Sequence, residues 1–224
     1  MKRTTFFITG TDTGVGKTVL TALLTRHLRK HGVNAVALKP ICSGERADAR
    51  ALHPASAGAL TLDEINPWHF RAPIAPMLAA RRERKQVVLA DVLLHVRAMQ
   101  KRFDVLLIEG AGGLLSPLGE KFDSCELIAA LRATPMVVCP NRLGAVNQVL
   151  LTLAALPRSA SGRTRVVLMS PSKPDASTST NASLLAEFLG AKRIFSLPYL
   201  GGRFDPEKVL KNPGVWRTLQ ALAG

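Results

Sequence analysis

Acidic residues are scarce: 16 Asp and Glu stand against 30 Lys and Arg, for a formal charge of +14. Such a balance favours anionic partners, whether nucleotides, nucleic acid or a membrane surface. The basic residues do not gather in one tail. Their densest run, "RRERK" from Arg81 to Lys85, reads as a solvated helix or loop, so the default reading is a generally basic surface. Cysteine is equally sparse. Cys42, Cys125 and Cys139 lie far apart with no C-x-x-C, which argues against a disulfide framework or a zinc site and fits reduced thiols in the cytoplasm. Aromatics make up 5% of the chain, so the core must rest on aliphatic side chains. No apolar run is long enough to cross a bilayer. The start, "MKRTTFFITG", is basic but lacks the apolar stretch of a signal peptide. There is no internal repeat and no G-x-S-x-G nucleophile pattern. The five histidines show no metal-ligand spacing, and His27 and His31 read as surface or helix-end residues. Trp68 and Trp216 read as packing residues.

What is present is a regular alternation. The 224 residues suit one domain, 1–224, with a sizeable core. Short apolar runs predict strands at residues 5–9, 35–39, 104–109, 136–139, 165–169 and 193–198. Amphipathic stretches between them predict helices at 17–31, 88–103, 125–131, 145–156, 181–189 and 215–222. Residues 41–86 read as irregular, with a short helix at 47–52 and an extended loop at "NPWHFRAPIAP". Strands alternating with helices imply an α/β fold: a mostly parallel central sheet covered by helices on both faces. In such sheets ligands bind at the carboxyl ends of the strands.

One of those ends carries "TGTDTGVGKT", Thr9 to Thr18. Gly16, Lys17 and Thr18 match the end of the phosphate-binding pattern G-x-x-x-x-G-K-[ST]. Gly10 lies one residue too far back and Thr11 holds the pattern's first glycine position, so the loop is a variant. A strand before it and an amphipathic helix after it supply the expected setting. Glycines let backbone N–H groups turn toward phosphate oxygens, and the helix N-terminus adds partial positive charge. Lys17 would reach the outer phosphates, and the Thr18 hydroxyl would serve Mg²⁺. Asp12 and Asp48 are candidate metal partners. Glu109 is a better one, because "IEGAGG" ends a buried strand with a carboxylate and then opens a loop nearly free of side chains. In "LKPICSG", Lys39 is a cation at a strand's carboxyl end, followed by Ser43.

Taken together, "GTDTGVGKT", "KPICSG", "DARAL", "NPWHFRAPIAP", "IEGAGGLLSPL", "NRLGAVNQ" and "LPYL" resemble the dethiobiotin synthetases, from Thr5 to about Leu200, in that family's order and close to its spacing. The resemblance implies a phosphate-loop α/β fold and use of ATP, or another nucleoside triphosphate, with Mg²⁺. It implies that Asp12, Thr13, Gly14, Val15, Gly16, Lys17 and Thr18 hold the phosphates. It puts Thr18, Asp48 and Glu109 at the metal, with Asp12 nearby. Lys17, Lys39 and Ser43 would face the reacting groups. Gly112 and Gly113, with Ser43, would bound the diamine pocket. The helix start at Leu143, Gly144 and Asn147, contributed by the other subunit of a homodimer, would receive the substrate's carboxylate tail. Ser170 and the segment Pro198, Tyr199, Leu200 would border the nucleotide. The family's usual Asn is Ser170 here, its common Glu is Gly14, and its frequent His is Met77. The implied reaction joins 7,8-diaminononanoate and CO2 into a cyclic urea in the cytoplasm, at the expense of ATP, with no membrane or nucleic-acid partner.

Three other readings compete. A partitioning-type ATPase that binds DNA would account for the charge. Its signature K-G-G-x-G-K-[ST], however, would need lysine and glycine where Asp12 and Thr13 stand. An amidoligase would normally bring a glutaminase domain for which this chain is short. A relative that only binds nucleotide would have no need of Lys17, Thr18, Lys39 and Glu109 together.

Overall fold

The computed structural model describes residues 3–202 and 204–224. Its elements, in chain order, are β1 (Thr4–Gly10), α1 (Lys17–Lys30), β2 (Ala35–Leu38), β3 (Ile41–Ser43), α2 (Ala47–Ala55), α3 (Leu62–Ile65), β4 (Trp68–Phe70), α4 (Pro76–Arg82), α5 (Leu89–Arg102), β5 (Val105–Glu109), α6 (Ser124–Leu131), β6 (Thr134–Pro140), α7 (Ala145–Ala155), α8 (Arg158–Ser161), β7 (Arg165–Met169), α9 (Asn181–Leu189), β8 (Ile194–Leu197), α10 (Pro206–Val209) and α11 (Pro213–Ala223). Six strands form one parallel sheet in the order β2-β5-β1-β6-β7-β8.

The central strand explains the layering. Successive side chains of β1 point to opposite faces. Phe6 and Ile8 pack with Leu20, Leu23 and Leu24 of α1 and Val215 and Leu219 of α11. Phe7 points the other way, into a layer with Val92 and Val96 of α5, Ile128 of α6 and Val149 of α7. Both faces are dry, which is why β1 and β5 read as unbroken apolar runs. Each fully buried Phe or Leu contributes about 2 kcal/mol of transfer free energy. The result is the three-layer α/β/α arrangement that the alternation predicts, with the main strands and helices within two residues of their expected bounds.

Residues 41–86 are more ordered than their composition suggests. β3 and β4 pair in parallel as a separate two-stranded sheet, Ile41 opposite Trp68 and Ser43 opposite Phe70. Strands of three residues carry no readable periodicity. What holds them is polar: the buried Asn66 donates from Nδ2 to the Lys39 carbonyl at 2.7 Å, and Arg46 donates to the Leu62 and Asn66 carbonyls. The helix expected at 47–52 runs on to Ala55, and α4 begins at Pro76, where the missing N–H costs nothing.

His27 is a correction. Its position one turn from the end of α1 suggests a surface residue, yet it is buried under α11. Its Nε2 lies 3.1 Å from Gln220 Oε1 and its ring meets Trp216 edge-on. Burial lowers its pKa, so the neutral ring fits this packing. Trp68 packs edge-on against His95, as expected of a packing residue.

Candidate active site

The phosphate-type loop leaves β1 at the centre of the sheet's carboxyl edge. Thr11 N–H donates to the Val138 carbonyl at 3.0 Å, which pins the loop to β6. Gly16 adopts φ +101°, the left-handed region, and a Cβ there would press on the Met169 side chain at the end of β7. Glycine is therefore required just before α1. Val15 is buried beneath the loop, while Thr13 and Gly14 are exposed on it. The backbone N–H groups of Gly14, Val15, Gly16, Lys17 and Thr18 have no acceptor among the described residues. Unsatisfied donors converging at a helix N-terminus make an anion cradle.

Lys17 is buried, and its Nζ donates to the Asp12 carbonyl at 2.7 Å. Burial and then the neighbouring Lys39 charge push its pKa down to about 8, against the opposing pull of Glu109, Asp48 and Asp12. The Asp12 side chain accepts from Thr13 N–H at 2.6 Å. It is turned onto its own loop, and the structure does not bring it together with Asp48 and Glu109.

Those two acids meet over the start of α1. Thr18 Oγ1 lies 2.9 Å from Asp48 Oδ1 and 2.8 Å from Glu109 Oε1, so its single proton serves one carboxylate at a time. Lys39 donates from Nζ to Glu109 Oε1 at 2.7 Å, to Asp48 Oδ2 at 2.9 Å and to the Gly110 carbonyl at 2.9 Å. Burial alone would lower the Lys39 pKa, but the charges of Glu109 and Asp48 overcome it and hold the pKa raised. Asp48 shifts the opposite way, below its usual value: burial opposes ionisation, and Lys39 outweighs it. Lys39 is therefore a cation throughout the neutral range, with carboxylates of its own chain for partners.

A cavity of about 730 Å³ opens between this cluster and the 41–86 segment. Thr13, Gly14, Gly16, Lys17 and Thr18 form one wall; Lys39, Ser43, Asp48 and Glu109 form a second. The third is Ile74, Pro76, Ser116 and Pro117, which sequence reasoning did not single out although "APIAP" and "LLSPL" contain them. Gly112 lies on this wall at φ +69°, where a Cβ would collide with Ser116. Ser116 Oγ accepts from Gly113 N–H at 2.9 Å, and Gly113 sits close against the Gly10 and Thr11 carbonyls. Ser43 donates its hydroxyl to the Ile74 carbonyl at 2.6 Å, which ties β3 to the loop before α4. Ser170 follows Met169, the residue packed on Gly16, and its N–H donates to the Leu197 carbonyl, next to the exposed Pro198 and Tyr199 and the half-buried Leu200. Leu143, Gly144 and Asn147 are exposed and do not line this cavity within one chain.

The chain's own atoms fit a small divalent cation. Glu109 Oε2 is buried with no hydrogen-bond partner, an orphan acceptor beside the Thr18 hydroxyl and Asp48. All three donors are hard oxygens, and no third acid, histidine or cysteine joins them in a metal-holding group among the described residues. Few protein ligands and hard oxygens suit Mg²⁺, which keeps waters and phosphates rather than a protein cage.

An N–H-lined loop closing on a helix N-terminus, with lysine and a hydroxyl–carboxylate pair behind it, on a parallel α/β sheet, defines a nucleoside-triphosphate-binding domain of the phosphate-loop class. The family model described as "AAA domain" matches residues 4–205. The solved structure of a ParA family ATPase from Chlorobium tepidum TLS aligns over 99% of this chain and 98% of its own with a TM-score of 0.58; at 12% identity this is a likeness of fold alone. The sequence relatives are more specific. The chain is 38% identical over 211 residues to the ATP-dependent dethiobiotin synthetase BioD of Anaeromyxobacter sp. (strain Fw109-5), covering 92% of this chain and 95% of that protein. It is 36% identical over 207 residues to the protein of the same name from Akkermansia muciniphila, covering 92% and 97%. The chain belongs to the ATP-dependent dethiobiotin synthetase family and is an enzyme, an ATP-using synthetase. No helix among the described residues is long and apolar enough to cross a membrane.

Proposed function

We propose that this chain carboxylates 7,8-diaminononanoate with CO2 and closes the product into dethiobiotin, with ATP converted to ADP and phosphate. One observation carries the reading: the Thr18 hydroxyl lies between Asp48 and Glu109, with Lys39 bridging the same two acids, directly beside the donor-lined loop. One substrate amine takes up CO2 and loses a proton to give a carbamate. A carbamate oxygen attacks the γ-phosphorus of ATP and ADP leaves. The second amine attacks the carbonyl carbon of the mixed anhydride, loses its proton, and phosphate departs as the five-membered ring closes. Holding both amines beside one carbonyl removes most of the entropic barrier to that step.

The residues divide this work. The N–H groups from Gly14 to Thr18 hold the triphosphate. Lys17, which at pH 7 is mostly charged with its pKa near 8, leaves the Asp12 carbonyl for the outer phosphates. Lys39, kept protonated by its acids, acts as a fixed positive charge on the transferring group and not as a base. Thr18, Asp48 and Glu109 would hold Mg²⁺, which when bound supplies charge neutralisation for the phosphoryl group. The Ser43 proton is engaged by the Ile74 carbonyl, so its lone pairs face the cavity as acceptors for a substrate amine. Gly112 and Gly113 allow the diamine to lie against backbone. Ser170, Pro198, Tyr199 and Leu200 would flank the base.

The protein works as a homodimer in this reading. Leu143, just before α7, is 81% exposed and Leu151, on it, 63%, near the exposed Gly144 and Asn147. The N–H groups of Gly144, Val146 and Asn147 have no acceptor among the described residues. A helix start of that kind suits the carboxylate tail of a diamine bound by the other subunit. The test is incubation with the diamine, labelled bicarbonate and ATP. Label trapped in an acid-stable cyclic urea, one per phosphate released, supports the ligase. Phosphate release that ignores the diamine and responds to DNA contradicts it.

A further inference from the structure

The opposite edge of the sheet holds a second cavity, of about 570 Å³, that the reaction does not use. It lies where β1 and β5 begin. Its rim carries Arg3, Arg97, Lys101 and Arg132, all exposed, against a single carboxylate, Asp104. None of the four cations makes an ion pair among the described residues. Arg3 donates from Nη2 to the Lys101 carbonyl at 3.1 Å, so the one that is tethered is held by a neutral group and keeps its charge unopposed. The floor is apolar, made by Phe103, Leu106 and Leu131, all buried. On the wall Gln100 donates to Thr5 Oγ1 at 2.8 Å.

Arg132 offers a clean handle for a test. It follows the last residue of α6 at φ +50°, a left-handed position where glycine is the usual and least strained residue. Ala57, Arg84 and Lys121 share this backbone conformation, so it assigns no role by itself, but it makes glycine a replacement that the fold accepts. That side chain is part of the cavity rim.

We propose that this cavity is a second ligand site, for a small organic polyanion bearing carboxylates or phosphates. Three guanidinium forks and an ammonium recognise such groups by charge-assisted hydrogen bonds, and the apolar floor accepts a hydrocarbon or aromatic body. The volume lies within the range of small-molecule sites. The site also gives part of the +14 charge a local purpose, at the edge of the sheet farthest from Asp48 and Glu109.

The test is calorimetric titration of the full chain with citrate and, separately, with pyrophosphate, in Mg²⁺-free buffer while a non-hydrolysable ATP analogue saturates the phosphate loop. Repeating the citrate titration on Lys17→Met without nucleotide, which that variant should no longer hold, makes the result independent of the proposed reaction. One site per chain is expected, filled by citrate if the ligand is a polycarboxylate and by pyrophosphate if it is a phosphate ester. Arg97→Ala and Lys101→Ala should each weaken binding about tenfold, the worth of one charge-assisted hydrogen bond. Arg132→Gly should weaken binding by a similar factor while the melting temperature holds or rises. The proposal is overturned if neither probe binds at millimolar concentration. It is equally overturned if the rim variants bind as well as the wild type, or if Arg82→Ala and Arg217→Ala, exposed cations elsewhere, weaken binding as much.

Discussion

The two edges of one sheet handle positive charge in opposite ways. At the carboxyl edge Lys39 is buried, and Glu109 and Asp48 hold it within 3 Å. At the amino edge Arg97, Lys101 and Arg132 stand exposed with no ion-pair partner among the described residues. A buried cation must be matched or it drives the fold apart, whereas an exposed one is solvated and can be left unmatched. The first arrangement therefore couples stability to chemistry in the same side chains. The second leaves charge free for a ligand at almost no structural cost.

Removing charges one at a time sharpens that contrast. The largest effect is expected from Lys39→Met. It removes the cation paired with buried Glu109 and with Asp48, leaving them to face only Lys17, so unfolding free energy should fall by about 3–5 kcal/mol and turnover by about a thousandfold. Denaturant titration and steady-state kinetics read the two losses. Glu109→Gln keeps the shape and removes the charge; turnover should drop at least about a hundredfold, with a steeper Mg²⁺ requirement and a smaller loss of stability. If Glu109→Gln proved the more destabilising of the two, the cation would not be what the cluster is built around.

Lys17 makes a prediction of opposite sign. Its pKa is lowered to about 8 in the fold, so the unfolded chain binds the proton more tightly. The resulting penalty of up to about 3 kcal/mol is fully present below pH 8 and is relieved as pH climbs toward 10.5. Lys17→Met should therefore raise stability at pH 7, flatten the rise in melting temperature between pH 8 and 10, and abolish nucleotide binding. Nucleotide affinity of the wild type should weaken as pH passes 8. Lys39, with its pKa raised, contributes stability that is complete below 10.5 and lost only above it. Asp48 contributes stability that is lost as pH falls below 3.8.

Smaller effects mark the backbone and the far edge. Gly16→Ala forces a side chain into the left-handed region against Met169 and should cost about 1–2 kcal/mol, with weaker nucleotide binding. Lys101→Ala should change stability by less than about 0.5 kcal/mol, because nothing in the fold leans on that charge. A loss above 1.5 kcal/mol, on the order of a lost buried contact, would mean that the amino edge is structural after all.

The contrast also shows what could be read before the fold was known. The main strands were legible because burial on both faces leaves continuous aliphatic runs, and α1 because its leucines recur every three or four residues. Gly16, Lys17 and Thr18 were legible for a local reason, since a loop that turns N–H groups inward needs glycine at φ values other residues avoid. Glu109 and Lys39 could each be picked out at a strand's carboxyl end, but their ion pair spans 70 residues of sequence and only the sheet order creates it. β3 and β4 are too short for any pattern, and Asn66, which holds them, resembles an ordinary turn residue. His27 looked exposed because its cover, α11, arrives from the far end of the chain. The amino-edge cavity was illegible for the same reason: Arg3 precedes β1, Arg97 lies on α5 and Arg132 follows α6, far apart in the sequence.

The most direct test of the central claim is a crystal structure with a non-hydrolysable ATP analogue, Mg²⁺ and the diamine. The account predicts the triphosphate along the N–H groups of Gly14 to Thr18, the cation on Thr18 Oγ1 and Glu109, and Lys17 released from the Asp12 carbonyl onto the outer phosphates. Phosphates bound elsewhere, with Glu109 and Thr18 untouched and Lys17 still on Asp12, would contradict it.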